Sequence, residues 1–429
     1  MNESKYRQLQ QLSDRFAVLY GSRDSIVEKQ TARYAHLLET FADRFGERKQ
    51  VLLVSAPGRT EISGNHTDHN RGKVLTASVN LDALAAVSPR DDMTVHIHSE
   101  GYPPLTMDLK ELALVEAEKN TTASLVRGIA HWLSEHGYAL GGFDAAVQST
   151  VFSGSGLSSS AAFEIMLCGI FSALYNNWAI DAVTRAKCAQ YAENVYFGKP
   201  SGLLDQMSSS MGGLVAIDFQ DEEPKIDAIA YDFAKKGFAL VVVNTGGSHD
   251  DLTEHYAAIP REMGEVAACF GEKYLRGVRP DQFMQSIPMV REKLGAGKGD
   301  RAILRAAHFF EENRRVDEMA EALRGDDLPA FFKNVVESGR SSAMYLQNVF
   351  ADGGTREVAL ALMLAERKLA GKGAWRVHGG GFAGTTLNFV PQKELASFVK
   401  CMNAVFGDNS CEVLDIRPEG AAAVELLNA

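Results

Sequence analysis

Residues 153–162 read Ser-Gly-Ser-Gly-Leu-Ser-Ser-Ser-Ala-Ala, and a run of helical periodicity follows at once. Gly154 and Gly156 permit backbone angles that a Cβ would oppose. Ser158, Ser159 and Ser160 bring hydroxyls and N–H groups to a helix start. Phe163, Met166, Leu167, Ile170, Phe171 and Leu174 then recur at helical spacing and mark one buried face. A helix start with open amides and a positive dipole end favours an anion. The stretch therefore predicts a phosphate cradle on Gly154, Ser155, Gly156, Leu157, Ser158, Ser159 and Ser160. The plainer alternative is a serine-capped helix after a flexible loop.

Two more segments belong with it. Residues 56–70 read Ala-Pro-Gly-Arg-Thr-Glu-Ile-Ser-Gly-Asn-His-Thr-Asp-His-Asn, and residues 378–386 read His-Gly-Gly-Gly-Phe-Ala-Gly-Thr-Thr. In this order and spacing the three blocks resemble the GHMP kinase superfamily. The Gly-Arg and Gly-Asn-His-Thr-Asp of the first block resemble the galactokinases within it. The resemblance runs from about residue 34 to the end of the chain, and no Walker-type Gly-Lys-Ser loop is present. It implies an α+β GHMP kinase fold of two lobes, a ribosomal S5 domain 2-like N-terminal lobe and a ferredoxin-like C-terminal lobe, with ATP and substrate between them. Composition and periodicity alone support mixed α/β structure in two lobes.

The length of 429 residues accommodates two domains, and 45% hydrophobic content suits a folded core. Net charge is −11 with no long basic run, which argues against nucleic acid or an anionic membrane as partner. Cys168, Cys188, Cys269, Cys401 and Cys411 are scattered, and none forms a Cys-x-x-Cys pair. That usage fits reduced thiols in the cytoplasm. No apolar leader or membrane-length apolar run is seen in the sequence. A monomer is expected.

Residues 4–20 and 30–46 read as amphipathic helices, the first within an extension of about 30 residues beyond the start usual for the resembled family. Strand patterns fall at 50–56, 73–80, 82–89, 93–98, 144–151, 214–219, 238–244, 375–377 and 386–390. Helical patterns fall at 125–136, 184–196, 250–275, 281–294, 300–324, 328–349 and 357–370. The composition change at 220–226 suggests a domain crossing. This gives an extension over 1–30, an N-terminal lobe over 31–225 and a C-terminal lobe over 226–429.

Phosphoryl transfer to an alcohol requires phosphates held and neutralised, an acceptor oxygen in line, and a destination for its proton. Asp205, in Ser-Gly-Leu-Leu-Asp-Gln-Met at 201–207, resembles the galactokinase catalytic Asp, with Arg59 as its cationic partner. The resemblance makes Ser160 and Glu193, twelve residues before Asp205, ligands of Mg2+. A hydroxyl, a carboxylate and phosphate oxygens suit that ion. For the acceptor, Asn65, His66 and Asp68 supply several polar groups within four residues. By resemblance His66 and Asp68 contact the sugar, Gly202 approaches it and Tyr256 closes the pocket. His378 and its three glycines are expected to pack beneath the phosphate loop. His66-x-x-His69, with His96 and His98 near in sequence, also has a metal-ligand spacing, but no Cys cluster or His-Glu-x-x-His accompanies it.

Two departures bear on specificity. Galactokinases carry Gly-Glu-His-Thr-Asp where this chain has Asn65, and that Glu contacts the sugar's C6 hydroxyl. The expected acceptor is therefore galactose, with galacturonate, fucose, arabinose and N-acetylgalactosamine open as alternatives. Ser248 stands where the family has Arg, with Asp250 and Asp251 after it, and the family's Asn-Leu-Ile after Gly-Arg becomes Thr60-Glu61-Ile62-Ser63. A weakly catalytic sensor of ATP and sugar is the reading from another functional class.

Overall fold

A computed structural model describes residues 3–21, 24–151, 156–246, 252–351, 356–382 and 384–428. Its strands are β1 (Gln50–Ser63), β2 (Lys73–Pro89), β3 (Thr94–Ser99), β4 (Leu105–Asp108), β5 (Phe143–Ser149), β6 (Leu214–Asp218), β7 (Lys225–Ile229), β8 (Phe238–Asn244), β9 (Ala374–His378), β10 (Thr385–Pro391), β11 (Cys411–Leu414) and β12 (Ala422–Asn428). Among the described residues, eight strands form one sheet in the order β12-β1-β2-β5-β3-β4, with β6 on β2 and β7 on β6. Four more form a second sheet in the order β11-β8-β10-β9.

β1 and β2 decide where the site lies. The sequence predicts a short strand ending at Pro57-Gly58 and a break near residue 81. The chain instead runs on as strand to Ser63 and pairs with one continuous β2. The register shifts between Pro57 and Arg59, where β2 passes from pairing β5 to pairing β6. A bulge needs no N–H from Pro57, so proline is tolerated there. Gly58 is required by a close approach, since a Cβ would stand 2.8 Å from the Leu157 carbonyl oxygen.

Side chains alternate across these strands and load both faces of the larger sheet. Val54, Ala56, Ala83, Ala85, Val87, Ala145 and Val147 face the main core with Ile165, Met166 and Ile170 of the helix Ser159–Tyr175. That helix is buried nearly all round, because neighbouring helices cover what the sheet does not. Val51, Leu53, Leu84, Ala86 and Ala146 face the other way, onto Phe16, Leu19, Tyr20, Tyr34, Leu38 and Phe41. The N-terminal segment through Phe45 thus covers the outer face of the sheet. It forms three helices, Glu3–Gln10, Ser13–Tyr20 and Asp24–Phe45, where the sequence suggests two. A buried ionic group ties it down. Asp82 receives Arg33 at 2.7 Å, Arg417 at 3.5 Å and the Tyr20 hydroxyl at 2.5 Å, and Tyr20 bonds Tyr34 at 2.6 Å.

The main core continues into the second sheet through Leu240, Val242, Leu387 and Phe389. The opposite face of that sheet packs Val241, Val243 and Val390 on the helices Glu357–Leu369 and Leu395–Phe406. A helical layer made of Thr253–Ala268, Pro280–Gln285, Ile287–Leu294 and Lys298–Arg324 has its own core around Ile259, Met263 and Phe309. The segment 220–226 lies in the β6–β7 hairpin, and both strands remain in the larger sheet. β12 also returns to that sheet, on β1. The 184–196 helix is helical over Ala182–Tyr191 and continues as a π-turn over Ala192–Phe197.

Candidate active site

The bulge in β1 aims Arg59 at the start of the helix Ser159–Tyr175. The Arg59 N–H donates to the Leu157 carbonyl at 3.0 Å. Its guanidinium holds Asp205 Oδ1 through Nε at 2.7 Å and Nη2 at 2.6 Å, and Nη1 donates to the Gly156 carbonyl. Ser158, in the left-handed region at φ 58°, donates its hydroxyl to Asp205 Oδ2. Burial pushes the Asp205 carboxyl up, but the Arg59 charge and these hydrogen bonds outweigh it, so its pKa lies below the ordinary value. With 36% of its side chain exposed, Asp205 presents an ionised carboxylate to solvent.

The residues of the expected phosphate loop divide into three groups. Gly154 and Ser155 lie outside the described residues, as do Ser248, Asp250 and Asp251. Leu157 is 1% exposed, its side chain in the core and its carbonyl on Arg59, so only its backbone belongs to the turn. Ser159 and Ser160 open the helix with no side-chain cap, which leaves its first amides facing outward. His378 and the glycine block pack under this turn as expected. A Cβ on Gly156 would meet Thr385 Oγ1 at 2.6 Å and His378 Nδ1 at 3.1 Å.

Glu193 is enclosed at 3% exposure by the π-turn. Its Oε1 takes Ser160 Oγ at 3.4 Å and Lys199 Nζ at 2.9 Å, and its Oε2 takes Gln206 Nε2 at 2.8 Å. Gln206 also reaches Glu164 Oε2 at 3.2 Å, and the buried Glu164 Oε1 is without a hydrogen-bond partner. Burial, then the Glu193 charge, pushes Glu164 well above the ordinary carboxyl value. Sequence reasoning missed Glu164, Lys199 and Gln206. Glu164 carried a signal: a carboxylate inside an apolar helix, four residues after Ser160 and on the same face.

The loop after β1 supplies the second half of the site. Asp68 Oδ2 accepts the Leu204 N–H at 3.4 Å, which brings it to the Asp205 segment. A Cβ on Gly202 would stand 1.7 Å from that oxygen, so any side chain there would push the Asp68 carboxylate aside. His66 donates Nε2–H to the Gly380 carbonyl at 2.9 Å. Burial lowers its pKa to about 4 against the pull of that bond, so the ring is neutral near pH 7 with Nδ1 as an acceptor. Tyr256 donates to the Gly381 carbonyl at 2.9 Å, and its ring centroid lies 6.3 Å from that of His66. The structure thus brings His66, Asp68, Gly202 and Tyr256 together. His96 lies elsewhere, on Asp144 at 2.9 Å.

Asn65 is a correction. The resemblance places it at the sugar's C6 hydroxyl, but it is 0% exposed and its amide is fully engaged inside the protein. Nδ2 donates to Glu61 Oε1 at 2.8 Å and the Gly379 carbonyl at 2.7 Å, and Oδ1 accepts Asn348 Nδ2 at 2.7 Å. Its carbonyl accepts His308 Nε2–H at 3.0 Å. Burial lifts Glu61 to about 7 despite Arg376 and Arg59 nearby. Residues 62–64 hang from the same region. Arg376 donates to the Ile62 carbonyl at 2.6 Å, while Glu312 accepts Ser63 Oγ at 2.8 Å and Gly64 N–H at 2.9 Å. Asn65 is part of a buried clasp between the sugar loop and the second sheet's surroundings.

Comparison with known proteins identifies the family and the fold. A model described as the galactokinase galactose-binding signature covers residues 39–89, and one for the GHMP kinase N-terminal domain covers 124–213. A galactokinase of Streptomyces coelicolor is 30% identical over 375 residues, spanning 86% of this chain and 92% of its own. One from Glaesserella parasuis is 29% identical, spanning 84% and 90%. The crystal structure of Lactococcus lactis galactokinase complexed with galactose superimposes with a TM-score of 0.80 at 24% identity, covering 91% of this chain and all of that one. Methanococcus jannaschii mevalonate kinase shares the fold at a TM-score of 0.61 and 15% identity, over 86% and 99% of the two chains. With this architecture and these relatives, the chain belongs to the galactokinase family of GHMP sugar kinases.

Proposed function

We propose that the protein transfers the γ-phosphoryl group of ATP to the anomeric hydroxyl of galactose, releasing galactose 1-phosphate and ADP. The observation that carries this reading is the junction at Asp205. An ionised carboxylate, fixed by Arg59 and Ser158, lies one residue from the Leu204 N–H on Asp68, so the sugar loop and the phosphate turn meet at one point. Asp68 and neutral His66 are assigned to sugar hydroxyls, with Gly202 and Tyr256 shaping the pocket. The amides and hydroxyls of Ser158, Ser159 and Ser160, with Gly156, are assigned to the phosphates.

The reaction follows from those positions. The anomeric oxygen forms its bond to the γ-phosphorus as the bond from phosphorus to the ADP oxygen breaks. Asp205 accepts the hydroxyl proton or anchors it electrostatically, and Arg59 stabilises charge on the transferring group. Ser160 and Glu193 fit Mg2+ in donor chemistry: a hydroxyl and an enclosed carboxylate share one locus, with the unpartnered Glu164 oxygen behind them. Bound there, the ion would neutralise phosphate charge.

The enclosure of Asn65 removes the main reason to expect a different C6 group, which supports galactose over galacturonate, fucose, arabinose or N-acetylgalactosamine. The cysteines are unpaired, which supports a reducing compartment, the cytoplasm. Among the described residues no helix is long and apolar enough to cross a membrane. ADP release measured with Mg2+ over that panel of sugars is the test. Galactose is expected to turn over best, with Asp205→Asn losing nearly all activity. A better acceptor in the panel would move the substrate, and ATP binding without turnover would favour a sensor.

A further inference from the structure

Lys199 has no role in the assignments above, yet it occupies a decisive place. Glu193 is enclosed, so its charge requires compensation. Lys199 supplies it, with Nζ 2.9 Å from Oε1, the same oxygen that faces Ser160 Oγ at 3.4 Å. The backbone fixes where the lysine starts, because its N–H donates to the Glu193 carbonyl at 3.1 Å. The side chain itself is 58% exposed, so its flexible stem is open to solvent while its end holds the carboxylate. Its charge also reaches Asp205.

An ammonium group and a divalent cation on one carboxylate oxygen repel each other at close range. A cation arriving at Ser160 and Glu193 therefore displaces Lys199, and the tethered ammonium remains beside the phosphate turn. We propose that Lys199 is a mobile phosphate ligand. It neutralises Glu193 before nucleotide enters, then transfers its hydrogen bonds to phosphate oxygens of the bound nucleotide. This rests on reading residues 156–160 as the phosphate cradle and Ser160 with Glu193 as the metal ligands.

The test is calorimetric titration of the full chain with ADP, once with Mg2+ and once with EDTA. The proteins are the parent, Lys199→Gln, Lys199→Arg, Glu193→Gln and the Glu193→Gln/Lys199→Gln pair. Loss of a charge-assisted bond predicts that Lys199→Gln weakens ADP about tenfold with Mg2+ present, and that Lys199→Arg recovers most of it. Galactose affinity is expected to stay within about twofold. In EDTA, Glu193→Gln frees the lysine and tightens ADP, and adding Lys199→Gln abolishes that gain. Unchanged or tighter ADP binding by Lys199→Gln, or no gain from Glu193→Gln, would overturn the proposal and leave Lys199 a counter-ion only. Failure of the parent to bind ADP would instead remove the cradle reading, and the proposal with it.

Discussion

The clasp around Asn65 predicts a reciprocal relation with Glu61 that a sugar-contacting residue would not have. The perturbation is Asn65→Glu, which installs the family's residue. The Asn65 amide nitrogen sits between two acceptors, Glu61 Oε1 at 2.8 Å and the Gly379 carbonyl at 2.7 Å. A carboxylate there loses both bonds and faces a like charge. Two unit charges at about 3 Å repel by roughly 5 kcal/mol at an effective dielectric near 20, an upper bound because one group can protonate. Glu61 already lies at about 7, so it takes that proton readily. A net loss of about 3 kcal/mol is expected, dominated by the buried bonds left unmade. Adding Glu61→Asn restores one amide facing one carboxylate. The pair should then recover at least about 2 kcal/mol relative to additive single changes. Urea unfolding of the four proteins measures this, with galactose and fucose KM values alongside. The reasoning fails if the changes are additive, or if Asn65→Glu keeps full stability while shifting the galactose-to-fucose KM ratio. Either result would mean that residue 65 looks outward to the sugar.

Other substitutions probe the remaining contacts. Gly202→Ala puts a methyl group 1.7 Å from Asp68 Oδ2. Galactose KM should rise about tenfold or more while ATP KM moves little, and an unchanged galactose KM would refute the close approach. Phe16, fully buried with its ring 4.6 Å from that of Tyr34, makes the extension part of the fold. Phe16→Ala should cost about 3–4 kcal/mol in urea unfolding, and a negligible loss would show the helices to be an ornament. Burial lowers His308 to about 4, from an ordinary 6.5, so the fold favours its neutral form. The unfolded chain then binds the proton more readily, and stability present above pH 6.5 is lost as pH falls toward 4. His308→Asn should flatten that acid slope, and an identical slope in the variant would refute the assignment.

What the sequence made legible was residue type at tight approaches. Gly58, Gly156 and Gly202 each sit where a Cβ would collide: with the Leu157 carbonyl, with Thr385 and His378, and with Asp68. Such demands restrict residue type directly, so they can be read from type alone. The helix and strand patterns held where one face was buried. They failed where turn-like residues lie inside a strand, as Pro57-Gly58 does at the register shift, which is why β1 and β2 read as fragments instead of the two long strands that carry the site. Asn65 was misread for a different reason. Its partners His308, Asn348 and Gly379 are more than 240 residues away, and no spacing rule records a contact of that range. An amide and a carboxylate are equally plausible on a sugar, so residue type could not decide. Solvent exposure did, because a group that touches substrate must reach the cleft. Of the charged groups near residues 59–65, Asp205 does so, whereas Glu61, Glu312 and Arg376 are buried. The loop after β1 is therefore held by buried charges, and on the proposed function changes in specificity are to be sought at His66, Asp68 and Tyr256 before Asn65.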